Sequence, residues 1–203
     1  MNIGVFGGTF DPIHFGHLAA AEAMRSTLSL AKIVFVPSGQ PWLKADLPIS
    51  PPQHRLEMVR LAIADERYFE VSTAEVDRPG PSYTVDTMDM LQREFGSESK
   101  LFFLVGSDAL SDFARWKEPA RLIRICRLVA FRRPGFALPS LGRLESDVPG
   151  ISKHVTFAEV PQVDISATEI RRLVVLGASI GHLVPRAVER HIIEHGLYRN
   201  LSL

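Results

Sequence analysis

The chain contains almost no cysteine: one residue, Cys126, in 203. An internal disulfide is therefore excluded, and with it the small disulfide-stapled folds. Cys126 sits in the apolar run Cys126-Arg127-Leu128-Val129-Ala130-Phe131, where a lone thiol reads as a small buried hydrophobe. Net charge is missing too, since 23 Lys+Arg balance 23 Asp+Glu. That balance argues against a nucleic-acid coat or a membrane-surface protein and leaves room for a local basic pocket. No apolar run reaches the ~18 residues of a membrane span. The N-terminus opens on a strand pattern, not on a charged segment followed by an apolar stretch, so no signal peptide is predicted. Internal repeats and low-complexity tracts are absent. So are a Cys–His pair and a GxSxG turn, which removes the usual enzyme nucleophiles. These absences predict a soluble cytoplasmic protein, with residues 1–203 as one domain and a C-terminal helical portion at about 165–203.

What is present is alternation. Strand-like runs lie at 2–6, 32–36, 68–72, 101–105, 126–131 and 155–160. Several are continuously apolar, as in a parallel sheet covered on both faces. Helical patterns lie between them. Ser50-Pro51 can cap and open one that carries Leu56, Val59 and Ile63. A second carries Val85, Met88, Leu91 and Phe95 and stops at Gly96. Pro185 opens a third, with Val188, Ile192 and a following Gly196. Segment 133–152, rich in Pro and Gly, reads as a surface excursion. The expected class is α/β: a Rossmann-like, doubly wound parallel sheet with flanking helices and a small C-terminal helical part. Ligands of such sheets sit beyond the carboxyl ends of the strands. The turn after the first strand lies there, as do Pro37-Ser38-Gly39-Gln40, Gly106-Ser107-Asp108 and Arg132-Arg133-Pro134.

The first of these turns reads Gly7-Gly8-Thr9-Phe10-Asp11-Pro12-Ile13-His14-Phe15-Gly16-His17-Leu18 and leads into an alanine-rich helix starting near His17. Glycines permit close backbone approach, and a helix N-terminus offers N–H groups and a positive dipole end, so the turn suits a polyphosphate. Residues 165–171, Ile165-Ser166-Ala167-Thr168-Glu169-Ile170-Arg171, form a second helix start. Ser166 and Glu169 have capping-box spacing, and Arg171 lies little more than a turn in, able to reach an anion at the helix start. Two phosphate-binding helix starts, one with paired histidines, suggest nucleotidyl transfer. Metal ligation by His14 and His17, or plain capping and core histidines, remain the rival readings of that pair.

These residues resemble a known family. Gly8-Thr9-Phe10-Asp11-Pro12 with His14-Phe15-Gly16-His17 resembles the HxGH signature of the nucleotidylyltransferase superfamily. Ile165–Arg171 resembles its ISSTxIR signature, with Ala167 in place of the second serine or threonine. Three further stretches are similar to the bacterial nicotinate-nucleotide adenylyltransferases: Ser82-Tyr83-Thr84-Val85-Asp86-Thr87; Gly106-Ser107-Asp108-Ala109-Leu110 with Phe113 and Trp116; and the tail from Val184-Pro185 to Leu197-Tyr198. The resemblance covers nearly the whole chain.

The resemblance implies transfer of AMP from ATP to nicotinate mononucleotide, giving deamido-NAD and pyrophosphate, with Mg²⁺ arriving on ATP. The attacking phosphate is already ionised, so catalysis is positioning and charge stabilisation. His17 is implied to donate to the α-phosphate, and His14 to hold the triphosphate. Gly8, Thr9 and Phe10 approach it by backbone, and Ile165, Ser166 and Thr168 line it. Lys44 and Arg171 are implied to bind phosphates, although Leu43 stands where the family has histidine. Gly106 and Asp108 are implied to meet the adenosine ribose. Tyr83, Thr84 and Trp116 are implied to form the pyridine site, with Arg133 near the adenine or the substrate phosphate. Asp86 reads as a first-turn helix acid. Alternatives are an adenylyltransferase for nicotinamide mononucleotide or phosphopantetheine, or a catalytically silent ATP-binding protein. A class I aminoacyl-tRNA synthetase is disfavoured by length, by zero net charge and by the lack of a KMSKS-like loop. Neither nucleic acid nor membrane is an expected partner, and a homo-oligomer is left open.

Overall fold

A computed structural model describes residues 1–44 and 48–199, the side chain of Lys44 excepted. In chain order the elements are β1 (Asn2–Gly8), α1 (Phe15–Thr27), β2 (Lys32–Pro37), α2 (Pro52–Ile63), β3 (Phe69–Val71), α3 (Thr84–Phe95) and β4 (Lys100–Gly106). There follow α4 (Ser107–Ser111), α5 (Pro119–Ile125), β5 (Arg127–Phe131), α6 (Leu141–Asp147), β6 (Val155–Ala158), α7 (Ala167–Val175) and α8 (Arg186–Glu194). Short 3-10 turns occupy Trp42–Lys44, Phe113–Arg115 and Ile151–Lys153.

The six strands form one sheet in the order β3-β2-β1-β4-β5-β6, and every pairing is parallel. Strand order reverses between β1 and β4, the switch point at which such sheets open a crevice. Side chains alternate along the strands and divide the core in two. Phe6, Ile33, Phe35, Leu104 and Val129 face α1, α2, α7 and α8. Val5, Val34, Val36, Phe103 and Leu128 face α3, α5 and α6. Gly4 lies on the first face, where an added Cβ would stand 2.4 Å from Ile33 Cδ1.

The six strand assignments hold to within two residues at each end. Helix α1 begins two residues earlier than expected, at Phe15 with His14 at its N-cap. Helix α2 begins at Pro52 with Pro51 at the N-cap. Ser50 is therefore not the cap; its N–H instead donates to Asp11 Oδ2 at 3.0 Å. Gly96 ends α3 with φ +81°, the left-handed conformation glycine accepts at no steric cost. The expected surface excursion at 133–152 needs correction. Ser140 caps α6 by accepting from the Arg143 N–H, and Leu144, Val148 and Ile151 are buried. Leu144 lies in α6, Val148 is its extended C-cap and Ile151 opens the next 3-10 turn, so the three anchor the segment from different elements and share no single periodic signal. Cys126 is buried, and burial pushes its thiol up to about 12.

The C-terminal helices are fastened to the first turn. Tyr198, buried and in the left-handed region at φ +69°, donates from its hydroxyl to Asp11 Oδ1 at 2.7 Å. Burial and the adjacent Asp11 hold the phenol well above its ordinary range, so it stays a donor. Removing that hydroxyl leaves a buried carboxylate short of a partner, a loss of about 1–3 kcal/mol. Tyr198→Phe is therefore expected to lower the unfolding free energy by that amount, read as a lower urea midpoint at unchanged slope; an unaltered midpoint would show the tie to be energetically idle.

Candidate active site

The turn between β1 and α1 is shaped by what lies beneath it. Phe10 takes a left-handed φ of +49°, and its ring is buried against Phe6, Phe35 and His17. Gly8 is needed directly above, because a Cβ there would stand 2.9 Å from the Phe10 ring. Phe10 thus works as a packed aromatic that turns the backbone outward.

His14 and His17 stack, with ring centroids 3.7 Å apart. The His14 N–H donates to His17 Nδ1 at 3.3 Å. An accepting Nδ1 carries no hydrogen, so the His17 proton sits on Nε2, the nitrogen at the far side of the ring. His14 is 3% exposed, and neither ring nitrogen has a hydrogen-bond partner. Burial, assisted by the Arg133 guanidinium, pulls its imidazolium pKa down to about 3. Burial thus keeps His14 neutral at physiological pH.

The second motif closes on the first. Gly16 lies against it: a Cβ there would stand 3.8 Å from Ile165 Cβ and 3.0 Å from His14 Nδ1. Ser166 caps α7 by accepting from the Glu169 N–H at 3.1 Å. The reciprocal half of the expected box is absent, because the Glu169 carboxylate pairs with Arg172 at 2.7 Å. Arg171 donates to the Asp11 carbonyl at 2.7 Å and to Thr168 Oγ1 at 3.3 Å. Both partners are neutral, so the guanidinium is oriented without its charge being cancelled.

Across the switch point stands the loop after β4. Gly106, not Asp108, is the N-cap of α4. An added Cβ on Gly106 would meet Asp108 Oδ1 at 2.5 Å and Arg133 Cδ at 2.8 Å. Arg133 Nη1 and Asp108 Oδ2 form an ion pair at 2.6 Å. The other carboxylate oxygen, Oδ1, is buried and without a partner. Arg133 is thus tethered, neither an idle solvated charge nor a freely reaching one. Arg132, its neighbour, is exposed.

Tyr83 and Trp116 are both half-buried and pack against the second core face. Trp116 packs on Phe103 and Phe113 with centroids 5.8 Å and 5.3 Å away. Its Nε1 is buried and unpartnered. Lys117, the next residue, sets its ammonium 4.4 Å from the Tyr83 ring centre and 3.1 Å from Asp86 Oδ2. Asp86 is thereby the first-turn acid expected. Thr84 opens α3, whose first N–H groups have no acceptor inside the helix. Of Lys44, the backbone ends a 3-10 turn; its side chain lies outside the described residues.

Three site-shaping residues were not foreseen from the sequence. Arg55, 1% exposed, donates to the carbonyls of Ser50 at 2.9 Å, Thr9 at 2.8 Å and Gly39 at 3.1 Å. Its only sequence signal is a charge on the core-facing side of α2, next to Leu56 and one turn before Val59. Ser82 Oγ accepts from the N–H groups of Gly39 at 2.9 Å and Gln40 at 3.1 Å, so this motif serine shapes the loop after β2. Glu75 is also buried, held by Thr87 Oγ1 at 2.6 Å, and burial raises its carboxyl above the usual range.

Comparison with known proteins agrees with this arrangement. The family model described as cytidylyltransferase-like matches residues 5–173. A protein of Thermus thermophilus, named "Probable nicotinate-nucleotide adenylyltransferase", is 47% identical over 98% of this chain and 100% of its own. One of the same name from Moorella thermoacetica is 46% identical over 97% and 91% of the two chains. Among solved structures, Plasmodium falciparum nicotinic acid mononucleotide adenylyltransferase complexed with NaAD has the same fold. It superposes with a TM-score of 0.79 at 20% identity, covering 97% of each chain. The matched residues run from β1 through the HFGH turn to α7, and on that ground the chain belongs to the cytidylyltransferase-like family of nucleotidyltransferases.

Proposed function

We propose that this protein is a cytoplasmic adenylyltransferase that joins AMP from ATP to nicotinate mononucleotide, giving deamido-NAD and pyrophosphate. The observation that carries the reading is the closure of two phosphate-type helix starts on one another. Arg171 reaches the Asp11 carbonyl, and Ile165 stands against Gly16. Relatives 46–47% identical over nearly the whole chain carry the name of this activity. In the reaction an oxygen of the mononucleotide phosphate bonds to the α-phosphorus of ATP. The bond from that phosphorus to the α,β-bridging oxygen breaks, and its electron pair leaves on pyrophosphate. A phosphate monoester is largely dianionic at pH 7, so no protein base is required.

The site's own groups then have distinct tasks. His17 Nε2–H donates to the α-phosphoryl oxygens as charge builds there. Neutral His14 positions His17 by stacking and, as N-cap, fixes the helix start. Arg171, with Ser166 and Thr168 at the start of α7, faces the departing phosphates, and Lys44 adds a charge from the loop after β2. The buried Oδ1 of Asp108 accepts from the ribose hydroxyls, while Gly106 leaves room for them. Arg133 serves by aiming that carboxylate and by adding positive potential beside His14. Trp116 offers its ring to the pyridine, with Tyr83 and the first N–H groups of α3 toward the carboxylate. Mg²⁺ would arrive on the triphosphate and would supply further neutralisation of its charge, beside Arg171 and Lys44.

Incubation of the purified chain with Mg-ATP and, in separate arms, nicotinate mononucleotide, nicotinamide mononucleotide and phosphopantetheine tests the reading by pyrophosphate release. The expected result is fastest turnover with nicotinate mononucleotide. Release with none would exclude the enzyme; a preference for another acceptor would leave the chemistry and overturn the substrate. His17→Ala is expected to lower kcat by about 100-fold or more with a much smaller change in KM for ATP, the pattern of a contact made in the transition state. The reverse pattern would make His17 a ground-state ligand. Trp116→Ala is expected to raise KM for the pyridine nucleotide about tenfold while kcat changes little; an unaltered KM assigns the indole to the core alone.

A further inference from the structure

Away from the nucleotide site, three histidines gather where α2 packs against α8. His54 comes from the first turn of α2; His191 and His195 come from one face of α8 and its C-cap. One ring nitrogen from each lies within 4.8 Å of the other two, the sole such group among the described residues. His54 Nδ1 and His191 Nε2 are 3.1 Å apart. Ring centroids stand 5.3, 4.9 and 4.2 Å apart for the three pairs. His191 is buried, His54 half-buried and His195 exposed, so the cluster opens to solvent on one side.

The chemistry of the donors is specific. His195 Nδ1 lies 3.0 Å from the His191 carbonyl. A carbonyl only accepts, so Nδ1 carries the hydrogen and Nε2 keeps its lone pair. A metal-bound histidine has this arrangement, its second nitrogen held by a carbonyl or carboxylate. Tetrahedral coordination at a Zn–N bond of 2.0–2.1 Å sets ligand nitrogens about 3.3 Å apart. The His54–His191 pair already stands near that spacing at 3.1 Å, and the His195 nitrogen lies within 4.8 Å of both. Burial, with His195 and His54 beside it, lowers the His191 imidazolium pKa, and the Glu57 and Glu194 carboxylates oppose that shift. Imidazole-only donors suit zinc and its neighbours, not the oxygen-seeking Mg²⁺.

We propose that His54, His191 and His195 bind a divalent transition-metal ion of the zinc class, with water or a neighbouring carboxylate as fourth ligand. The ion clamps α8 to α2 beneath the nucleotide turn. Its ligands adjoin the two anchors of that turn: Arg55 follows His54, and Tyr198 comes three residues after His195.

The test uses the untagged full chain, stripped with chelator and free of nucleotide. Titration with Co²⁺ is expected to give the visible bands of tetrahedral cobalt saturating at one ion per chain, displaced by one equivalent of Zn²⁺. Saturating Zn²⁺ is expected to raise the melting temperature by roughly 5 °C, and Mg²⁺ is not. His195→Ala alters an exposed position and is expected to weaken Zn²⁺ binding about 100-fold, as is His54→Gln. No saturable Co²⁺ or Zn²⁺ binding below about 1 mM overturns the proposal, whatever the variants do. So does undiminished binding in His195→Ala, which retains His14 and His17 and would place the ion at that pair.

Discussion

The structure turns on one buried cation. A guanidinium removed from water costs several kcal/mol unless its N–H groups find acceptors. Arg55 finds them in three backbone carbonyls, of Thr9, Gly39 and Ser50. Those carbonyls belong to the turn after β1, the loop after β2 and the approach to α2. Burial pulls the guanidinium pKa down, and Asp11, Tyr198 and Glu75 oppose that pull. The charge is thereby kept while three segments, which together form one part of the crevice rim, are pinned to it. Gly39 belongs to the same constraint, since a Cβ there would stand 2.1 Å from the Glu75 carbonyl oxygen. The rim is as tight in its backbone as in its side chains.

Around this rim the groups proposed to meet phosphate and ribose are already oriented. Arg171 is aimed by a carbonyl and a hydroxyl, His17 by a backbone N–H, and Asp108 by Arg133. For a reaction between two anions with no covalent intermediate, pre-aimed donors and charges are the main contribution a protein can make. His14 adds a subtler one. As a neutral ring stacked on His17, it adds no positive charge to the turn.

Local rules made much of this legible. Continuous apolar runs marked a sheet covered on both faces, and the glycines with paired histidines marked the turn from β1 into α1. Ser166 marked the start of α7. Each is a signal within a few residues of itself. What stayed hidden were pairings across the chain. Arg55 meets Thr9 across 46 positions, Arg171 meets Asp11 across 160, and Tyr198 meets Asp11 across 187. Composition and periodicity carry no record of such partners. Asp11 shows the difference: in the sequence it is a turn residue before proline, and in the fold it joins the first turn to Ser50 and to the last tyrosine of the chain. Arg133 was legible as a charge near the site, but not as the partner that aims Asp108. Helix α6 was masked because proline and glycine flank it and Leu144 is its one buried residue.

Cys126 has a further meaning once its surroundings are known. It is buried in the core that Phe103 and Leu128 of the sheet share with Leu122 of α5, and its thiol stays protonated far above neutral pH. Oxidants and electrophiles act on thiolate that they can reach, so the native fold shields the one sulfhydryl of the chain. Because there is a single such group, its labelling would time the opening of the α5 side of the molecule and nothing else. The same scarcity that excludes a disulfide supplies this half of the core with its own chemical clock.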